Sequence, residues 1–243
     1  MFVLVDLFGV ILDYLACGDF DLVDYLSRCY ALGVYCSRVR GLSWSEILGL
    51  IDRVTGGLGY RRGDFDVGRM GYVGSIIAWP EVIPSGGRVL EIGTGIGRTC
   101  YVAVNWSSPS LFLTVDCSPD ILAIALYRNP VRVFRDSLYH LCVRICFGDA
   151  IDVVKILFNH GFRFDHIIHD GGPNPRRNPR LYSFNFLKLI SDLLVDGGSL
   201  SIFAGRDRRW QDRIYNILRK LGFKVESISF PDSPTLVFHA IKI

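Results

Sequence analysis

The segment RVLEIGTGIGRT at residues 88–99 constrains the fold of this chain more than any other feature. Its first half has the apolar pattern of a buried strand, and three glycines follow at alternating positions, Gly93, Gly95 and Gly97. Glycine lacks a Cβ atom, so the chain can turn sharply there and a ligand can lie against the bare backbone. A helix beginning near residue 97 would direct free N–H groups toward the same point. The segment therefore predicts a strand, a ligand-binding turn and a helix.

The spacing of these glycines differs from that of a dinucleotide-binding fingerprint. That fingerprint needs G-x-G-x-x-G, whereas here the third glycine comes one residue earlier and Glu91 stands two places before the first. A turn of this kind can also be structural or bind another nucleotide. The pattern acidic-x-G-x-G-x-G resembles motif I of the class I S-adenosylmethionine (SAM)-dependent methyltransferases. This resemblance implies SAM as cofactor, held by Glu91, Gly93, Thr94, Gly95, Ile96 and Gly97.

Two further predicted strands end in carboxylates. Residues 110–116 end at Asp116, about twenty residues beyond the glycines, where such folds place an acid against the ribose hydroxyls. The alternative for Asp116 is an N-cap of the helix that begins near Ser118. Residues 141–147 precede Asp149, which resembles the methyltransferase position where an Asp contacts the adenine amino group; its alternative role is to cap a helix over residues 151–160. Cys117, Gly148 and Ala150 are the neighbouring candidates for cofactor contacts.

A fourth predicted strand, residues 164–169, ends in His169 and Asp170. Ligands of open parallel sheets bind outside the carboxyl ends of the strands, so both residues are candidate catalytic groups. Asp170 would orient the acceptor or remove its proton, and it is also a candidate cofactor contact. Its alternative role is to organise the tight turn of Gly171, Gly172 and Pro173. A single histidine at a strand end is more often hydrogen-bonded scaffold than catalyst.

The C-terminal elements indicate the fold class. Residues 198–204 read as a strand, residues 207–221 as a helix, and residues 224–230 and 235–243 as two strands joined by PDSP. This linker is typical of a hairpin, so the last strand should be antiparallel to its neighbour. We predict an α/β, Rossmann-like class I methyltransferase fold: a seven-stranded sheet with an antiparallel C-terminal hairpin, plus a small N-terminal module.

From residue 88 onward the chain resembles a family of predicted archaeal SAM-dependent methyltransferases whose layout is related to that of spermidine synthases. The matching segments are GTGIG at 93–97, NP at 129–130, GDA at 148–150, IIHD at 167–170 and LYS at 181–183. The family has Asp-Pro-Pro-Arg after the histidine, whereas this chain has DGGP, and Arg176 and Arg177 follow only later. The resemblance implies methyl transfer from SAM but supplies no substrate.

The N-terminal module, residues 1–80, precedes the SAM-binding domain, residues 81–243. Residues 2–7 and 10–15 read as a hairpin and residues 21–30 as a helix. Ser43 and Glu46 form a capping box for a helix to about residue 54, and a flexible connection follows at 55–63. The module, including Met70, Gly71 and Tyr72, is open to three roles: a lid or substrate-reading element, a stabilising appendage, or the surface of a homodimer.

Arginines are concentrated after the fourth and fifth predicted strands. Arg176, Arg177 and Arg180 follow one strand, and Arg206 with three further arginines follows the next. These loops should converge on one rim of the active site and bind an anionic substrate, RNA or a small acid, with Tyr182, Phe184 and Trp210 available for stacking. The alternative is a solvated helix face with core aromatic rings. The net charge of +3 is too small to indicate nucleic-acid binding by itself.

Composition limits the remaining possibilities. No segment is long and uncharged enough to span a bilayer, and the first residues lack a basic region, so we expect a cytoplasmic protein without a membrane partner. The seven cysteines include no C-x-x-C pair, which argues against a metal site. Three functions stay open: a methyltransferase, an aminopropyltransferase that uses decarboxylated SAM, and a SAM-binding protein without catalysis.

Overall fold

One mixed sheet organises the chain. The structure is a computed structural model that describes residues 6–54, 67–172, 174–230 and 233–243. The strands of the sheet are β1 (Arg88–Ile92), β2 (Leu111–Asp116), β3 (Val143–Phe147), β4 (Phe164–His169), β5 (Leu194–Gly205), β6 (Phe223–Ser229) and β7 (Leu236–Lys242). Their order is β3-β2-β1-β4-β5-β7-β6.

The pairing confirms the predicted sheet. Neighbours from β3 to β5 are parallel, whereas β7 is antiparallel to both β5 and β6. Strand β5 begins at Leu194, four residues before the predicted start at residue 198, because Leu194 pairs with Phe164 beyond a register irregularity. The order in which successive strands are added to the sheet reverses between β1 and β4, which is where open α/β sheets bind ligands.

Ten α-helices are found in the described part of the chain. They are α1 (Leu7–Cys17), α2 (Phe20–Val34), α3 (Trp44–Val54), α4 (Val67–Ala78), α5 (Arg98–Trp106), α6 (Pro119–Tyr127), α7 (Arg132–Leu138), α8 (Ala150–Asn159), α9 (Phe184–Leu193) and α10 (Arg208–Lys220). A π-helical turn at Tyr35–Val39 extends α2, and 3₁₀ turns lie at Pro80–Val82 and Pro179–Tyr182. Helices α8, α9 and α10 cover one face of the sheet and α4, α5 and α6 the other.

The predicted hairpin near the N-terminus is wrong. Residues 10–15 lie within α1, while residues 2–5 of the other predicted strand lie outside the described residues. Ile11 and Leu15, one helical turn apart, are both fully buried and belong to the same core cluster as Val153 of α8. A short apolar segment does not distinguish strand from helix by its pattern, and here packing on the core favours the helix.

The other N-terminal predictions have mixed outcomes. Helix α2 includes the predicted residues 21–30 and is longer than predicted. The capping box is confirmed, since Ser43 N–H donates to Glu46 Oε2 at 2.7 Å and Glu46 N–H donates to Ser43 Oγ at 3.3 Å. The flexible connection at residues 55–63 lies outside the described residues. The division into two domains near residue 80 stays a prediction.

Helix α2 covers the β3 edge of the sheet. Strand β3 has only β2 as a strand neighbour, so half of its backbone groups need other partners. The Ile145 N–H donates to Asp24 Oδ1 at 2.8 Å, and the Phe147 N–H donates to Ser27 Oγ at 2.9 Å. Side chains of a helix therefore satisfy N–H groups that an additional strand would otherwise bind.

Side chains of three strands hold the C-terminal end of α4. His239 Nε2 lies 2.7 Å from the Ile76 carbonyl oxygen, and His166 Nε2 lies 3.0 Å from that of Ala78. Ser201 Oγ donates to the carbonyl of Ile77 between them. The last carbonyls of a helix have no intrahelical partners, so these contacts both cap α4 and fix it to the sheet.

Candidate cofactor and active site

The glycine turn after β1 has one open position. Gly93, Gly95 and Gly97 all have positive φ, at 96°, 51° and 85°. A Cβ on Gly93 would lie 2.7 Å from the carbonyl oxygen of Asp170, and one on Gly97 would lie 2.9 Å from Leu138 Cγ. A Cβ on Gly95 would meet nothing within 4 Å. The outer glycines are thus needed for packing, and Gly95 leaves backbone accessible to a ligand.

Glu91 is the centre of a buried hydrogen-bond network next to this turn. It is fully buried and accepts hydrogen bonds from the hydroxyl of Thr99, on the first turn of α5, and from Thr114 Oγ1 at 2.5 Å. Thr114 Oγ1 also lies 2.7 Å from Thr94 Oγ1. Burial raises the pKa of Glu91 to about 8, against the opposing effect of the two threonine hydrogen bonds. Its carboxyl group therefore fixes β1, β2 and α5 together instead of facing a cofactor.

Two other predicted cofactor contacts have buried side chains. Thr94 is 2% exposed and belongs to the Glu91 network, and Ile96 is 6% exposed and packs in the cluster between α3 and α6. The Ile96 carbonyl also accepts from Asn129 Nδ2 at 2.8 Å. Only the backbone of these residues is left as a possible cofactor contact.

Asp116, at the end of β2, lies directly beside the open glycine. Its Oδ2 accepts from the Gly95 N–H at 3.1 Å and its Oδ1 from the Ser118 N–H at 2.8 Å. Ser118 is the N-cap of α6, so the alternative prediction that Asp116 caps this helix is wrong. Burial raises the pKa of Asp116 against the opposing effect of these backbone hydrogen bonds. The ribose role stays a prediction.

Asp149 and its neighbours follow β3, at the same carboxyl ends of the strands. Asp149 is the N-cap of α8, because its Oδ1 accepts from the Ile151 N–H at 2.8 Å, which confirms the capping prediction. A Cβ on Gly148 would lie 2.9 Å from Cε2 of Phe8, so α1 closely approaches this loop. Cys117 is exposed at the end of β2. Contacts of these residues and of Ala150 with adenine stay predictions.

Asp170 forms an ion pair that the sequence did not indicate. Arg98 Nη2 lies 3.1 Å from Asp170 Oδ2, and the two side chains are 19% and 17% exposed. Burial raises the pKa of Asp170, and the Arg98 guanidinium opposes this effect. Helix α4 covers Arg98, since a Cβ on Gly74 would lie 3.0 Å from Arg98 Cγ. The position of Arg98 directly after Gly97 was the only available signal.

His169 and Tyr182 lie in the core, which corrects two predictions. Both are fully buried, and their rings are in tilted contact with centroids 4.7 Å apart. His169 Nε2 lies 2.9 Å from the Leu181 carbonyl oxygen, and burial lowers the pKa of His169 to about 4. The Tyr182 hydroxyl donates to the Gly172 carbonyl at 2.8 Å. These residues hold the loop after β4, so neither is placed to act on a substrate.

The predicted basic rim is solvent-exposed. Arg176, Arg177 and Arg180 follow β4, and Arg206 follows the adjacent β5. All four side chains are exposed, and none of them forms an ion pair within the described ranges. Arg206 Nε donates to Thr235 Oγ1 at 3.2 Å. Of the aromatic candidates, Phe184 is 44% exposed, and Trp210 lies beneath the guanidinium of Arg213.

A metal-binding cluster and a membrane-spanning helix are both absent from the described residues. No group of three or more His, Cys, Asp or Glu side chains that could hold a metal ion occurs among them. None of the helices found there has the length and apolarity needed to span a membrane.

Comparisons with known proteins agree with this geometry. Residues 129–229 match a family model described as S-adenosyl-L-methionine-dependent methyltransferase. This match begins after the glycine turn and covers β3 to β6, so it is independent of the motif at residues 93–97. The chain is therefore similar to SAM-dependent methyltransferases over residues 129–229, and its sheet has the Rossmann-like layout of class I methyltransferases. No curated protein matches its sequence.

Solved structures show the same fold at low sequence identity. Spermidine synthase from Thermotoga maritima is 18% identical with a TM-score of 0.58, over 72% of this chain and 60% of that chain. Fibrillarin from Methanococcus jannaschii, a pre-rRNA processing protein, is 18% identical with a TM-score of 0.50, over 66% and 68%. Human methyltransferase-like protein 13, in complex with S-adenosylhomocysteine (SAH), is 16% identical with a TM-score of 0.52, over 72% and 80%. The chain thus spans about 60% of the synthase's length.

Proposed function

We propose that this protein transfers a methyl group from SAM to an anionic acceptor. The observation that carries the proposal is the Arg98–Asp170 ion pair, in which Asp170 belongs to the loop that packs against Gly93 of the glycine turn. A largely buried carboxylate thus lies beside the ligand-accessible turn at the switch point of the sheet, and basic loops follow the carboxyl ends of the adjacent strands β4 and β5.

The residues around Gly95 fit the cofactor. The open space at Gly95 accommodates a ligand against the backbone, and Asp116 beside it is available to the ribose hydroxyls. Asp149 is available to the adenine amino group. The Arg98 guanidinium, whose buried Nε has no hydrogen-bond partner among the described residues, is available to the methionine carboxylate. SAM supplies an electrophilic methyl group on a sulfonium.

Asp170 is the group that we assign to the acceptor. It accepts a hydrogen bond from the acceptor's N–H or O–H and takes that proton as the bond to the methyl group forms. Arg98 holds the Asp170 carboxylate in one orientation through the 3.1 Å contact. Most of the rate advantage in methyl transfer comes from such positioning.

The acceptor class follows from the rim. Arg176, Arg177, Arg180 and Arg206 are suited to bidentate contacts with phosphate or carboxylate groups, so RNA or a small acid is the proposed acceptor. The fold likeness to the fibrillarin pre-rRNA processing protein makes RNA a natural first substrate to assay. A cytoplasmic location belongs to the same proposal.

Two other functions are separated from this one by ligand binding. An aminopropyltransferase would use decarboxylated SAM and a polyamine, and a polyamine acceptor requires an acidic pocket where this rim is basic. We expect calorimetry to show tight binding of SAH and weak binding of methylthioadenosine. A preference for methylthioadenosine would instead support aminopropyl transfer. Binding of SAH without turnover on any anionic acceptor would indicate a non-catalytic SAM-binding protein.

The cofactor position is tested by a matched pair of variants. Gly95→Trp should abolish SAH binding, because its side chain fills the open space at the turn. Gly161→Trp is the control. Gly161 also has positive φ, and a Cβ there would meet nothing within 4 Å, but the residue precedes β4 and so lies at the amino ends of the strands. Retained binding in Gly95→Trp would refute the cofactor placement.

A further inference from the structure

The outer face of α2 and its π-helical extension is apolar. Tyr25 is 63% exposed and Leu32 45% exposed, and Cys29 and Cys36 on the same face are also exposed. These four residues are called the α2 stripe below. The inner face of α2 is occupied by buried residues such as Val23 and Ala31. The outer face of an amphipathic surface helix usually carries charged residues, so an apolar stripe here suggests a covered surface.

The charges of this face lie at its two ends. Asp21 is exposed one turn before the stripe, and Arg40 is exposed one turn after it. Asp21 binds Arg144 of its own chain through one carboxylate oxygen, at 2.6 Å, and its side chain is still 81% exposed. The face is therefore acidic at its N-terminal end, apolar along its length and basic at its C-terminal end.

The positions along the face are symmetric about a point between Tyr30 and Ala31. In an antiparallel pair of two such helices, three facing pairs result, and each is complementary: Asp21 with Arg40, Tyr25 with Cys36, and Cys29 with Leu32. A parallel pair would place Asp21 beside Asp21 and Arg40 beside Arg40. A face that is self-complementary in this way meets the requirement of an isologous two-fold interface.

We propose that the α2 stripe is the interface of a homodimer in which α2 of one copy packs antiparallel against α2 of a second copy. Gly33 lies near the centre of this contact, and a Cβ there would meet nothing within 4 Å, so the two backbones can approach closely. The inner face of α2 stays bound to β3, so dimerisation leaves the sheet edge covered. The proposal is independent of the reaction that the protein catalyses.

Sedimentation equilibrium of the full chain under reducing conditions tests this interface. We expect a wild-type dimer and a monomer for Leu32→Glu. Ile243→Glu is the matched control, because Ile243 is 89% exposed after β7, on the side of the sheet away from β3 and α2, and it should stay dimeric. Unchanged circular dichroism of both variants would show that they fold. A monomeric wild-type protein at all concentrations, or a dimeric Leu32→Glu variant, would overturn the proposal.

Charge reversal tests the antiparallel arrangement. Asp21→Arg and Arg40→Asp should each weaken the dimer several-fold, and the double variant should regain most of the loss. The Asp21–Arg144 contact is absent from both Asp21→Arg and the double variant, so their difference reports on the contact between copies. Failure of the double variant to recover would show that the facing pairs are assigned wrongly.

A cross-link provides a second geometric test. In Leu32→Cys, the new thiol should face Cys29 of the other copy and give a covalent dimer on mild oxidation. The further substitution Cys29→Ala should prevent this cross-link. A covalent dimer that persists in Leu32→Cys/Cys29→Ala would contradict the proposed facing pair.

Discussion

The guanidinium of Arg98 and the carboxylate of Asp170 are 3.1 Å apart, which joins the first turn of α5 to the loop after β4. Both side chains are less than one-fifth exposed, so the contact is screened less than a surface ion pair. The two residues belong to segments that meet where the strand order reverses. An acid in this position is both held in one orientation and adjacent to the open glycine turn.

Replacing Asp170 with asparagine should remove proton transfer and leave the fold intact. For Asp170→Asn, we expect kcat for methyl transfer to fall by about 10²- to 10⁴-fold, the usual contribution of a general base. The dissociation constant of SAH should stay within about threefold, because the amide can keep a hydrogen bond to Arg98. Steady-state kinetics and calorimetry measure the two quantities.

The pH profile separates a catalytic role of Asp170 from a structural one. Burial raises the pKa of Asp170, so wild-type kcat should rise with pH as this carboxyl group loses its proton. This limb should be absent in Asp170→Asn and present in Asp212→Asn, a control at an exposed position of α10. A wild-type pH limb that survives in Asp170→Asn would assign the base to another residue.

The arginine loop after β4 predicts salt-dependent binding of RNA. In the double variant Arg176→Ala/Arg177→Ala, affinity should fall, and the slope of log K against log salt should decrease by about 0.7 per lost phosphate contact. Fluorescence anisotropy with a single-stranded RNA measures both. Lys220→Ala/Lys224→Ala removes the same charge near the start of β6 and should leave the slope unchanged. Equal slopes for the wild type and the arginine variant would exclude these phosphate contacts.

The sequence predicted the sheet better than the roles of individual side chains. Strand ends and the C-terminal hairpin follow from apolar runs and turn residues, which are local signals. The roles of Glu91, His169 and Tyr182 depend on burial and on partners from other segments, which have no local sequence pattern. Arg98 was missed because its partner Asp170 is 72 residues away, and a contact at that separation has no local pattern.

Glu91 should make stability fall with rising pH. Its folded-state pKa is about 8 against the ordinary glutamate pKa of 4.5, so the folded protein retains a proton that the unfolded chain releases between these values. The folded state binds more protons there, and the free energy of unfolding therefore decreases as pH rises through this window. In Glu91→Gln, a neutral amide replaces the protonated carboxyl group, and this component of the pH dependence should disappear.

Urea unfolding at pH 5.5 and pH 8 measures this effect. From pH 5.5 to pH 8, the free energy of unfolding of the wild type should fall relative to that of Glu91→Gln. Glu46→Gln is the control. Hydrogen bonds from Ser43 lower the pKa of Glu46, so this variant should not show the pH-dependent shift expected of Glu91→Gln. A wild-type-minus-variant difference that is constant with pH would mean that Glu91 is ionised in the folded protein.

Ser27 should contribute more to stability than an ordinary helix serine. Its Oγ accepts from the Phe147 N–H of β3 at 2.9 Å and donates to the Val23 carbonyl at 2.7 Å, and the residue is fully buried. Ser27→Ala leaves the strand N–H without an acceptor, which costs about 1–3 kcal/mol. The exposed Ser37, which donates to the Gly33 carbonyl at 2.7 Å, should change stability by at most about 0.5 kcal/mol when replaced by alanine.

Hydrogen exchange locates the effect of Ser27. The Phe147 amide should exchange faster in Ser27→Ala than in Ser37→Ala, because only the first variant removes its acceptor. The Ile145 amide, which donates to Asp24, should be affected less. Equal protection of the Phe147 amide in both variants would mean that α2 does not substitute for a strand at this edge. Faster exchange confined to the Phe147 amide would show that a helix side chain closes the sheet there.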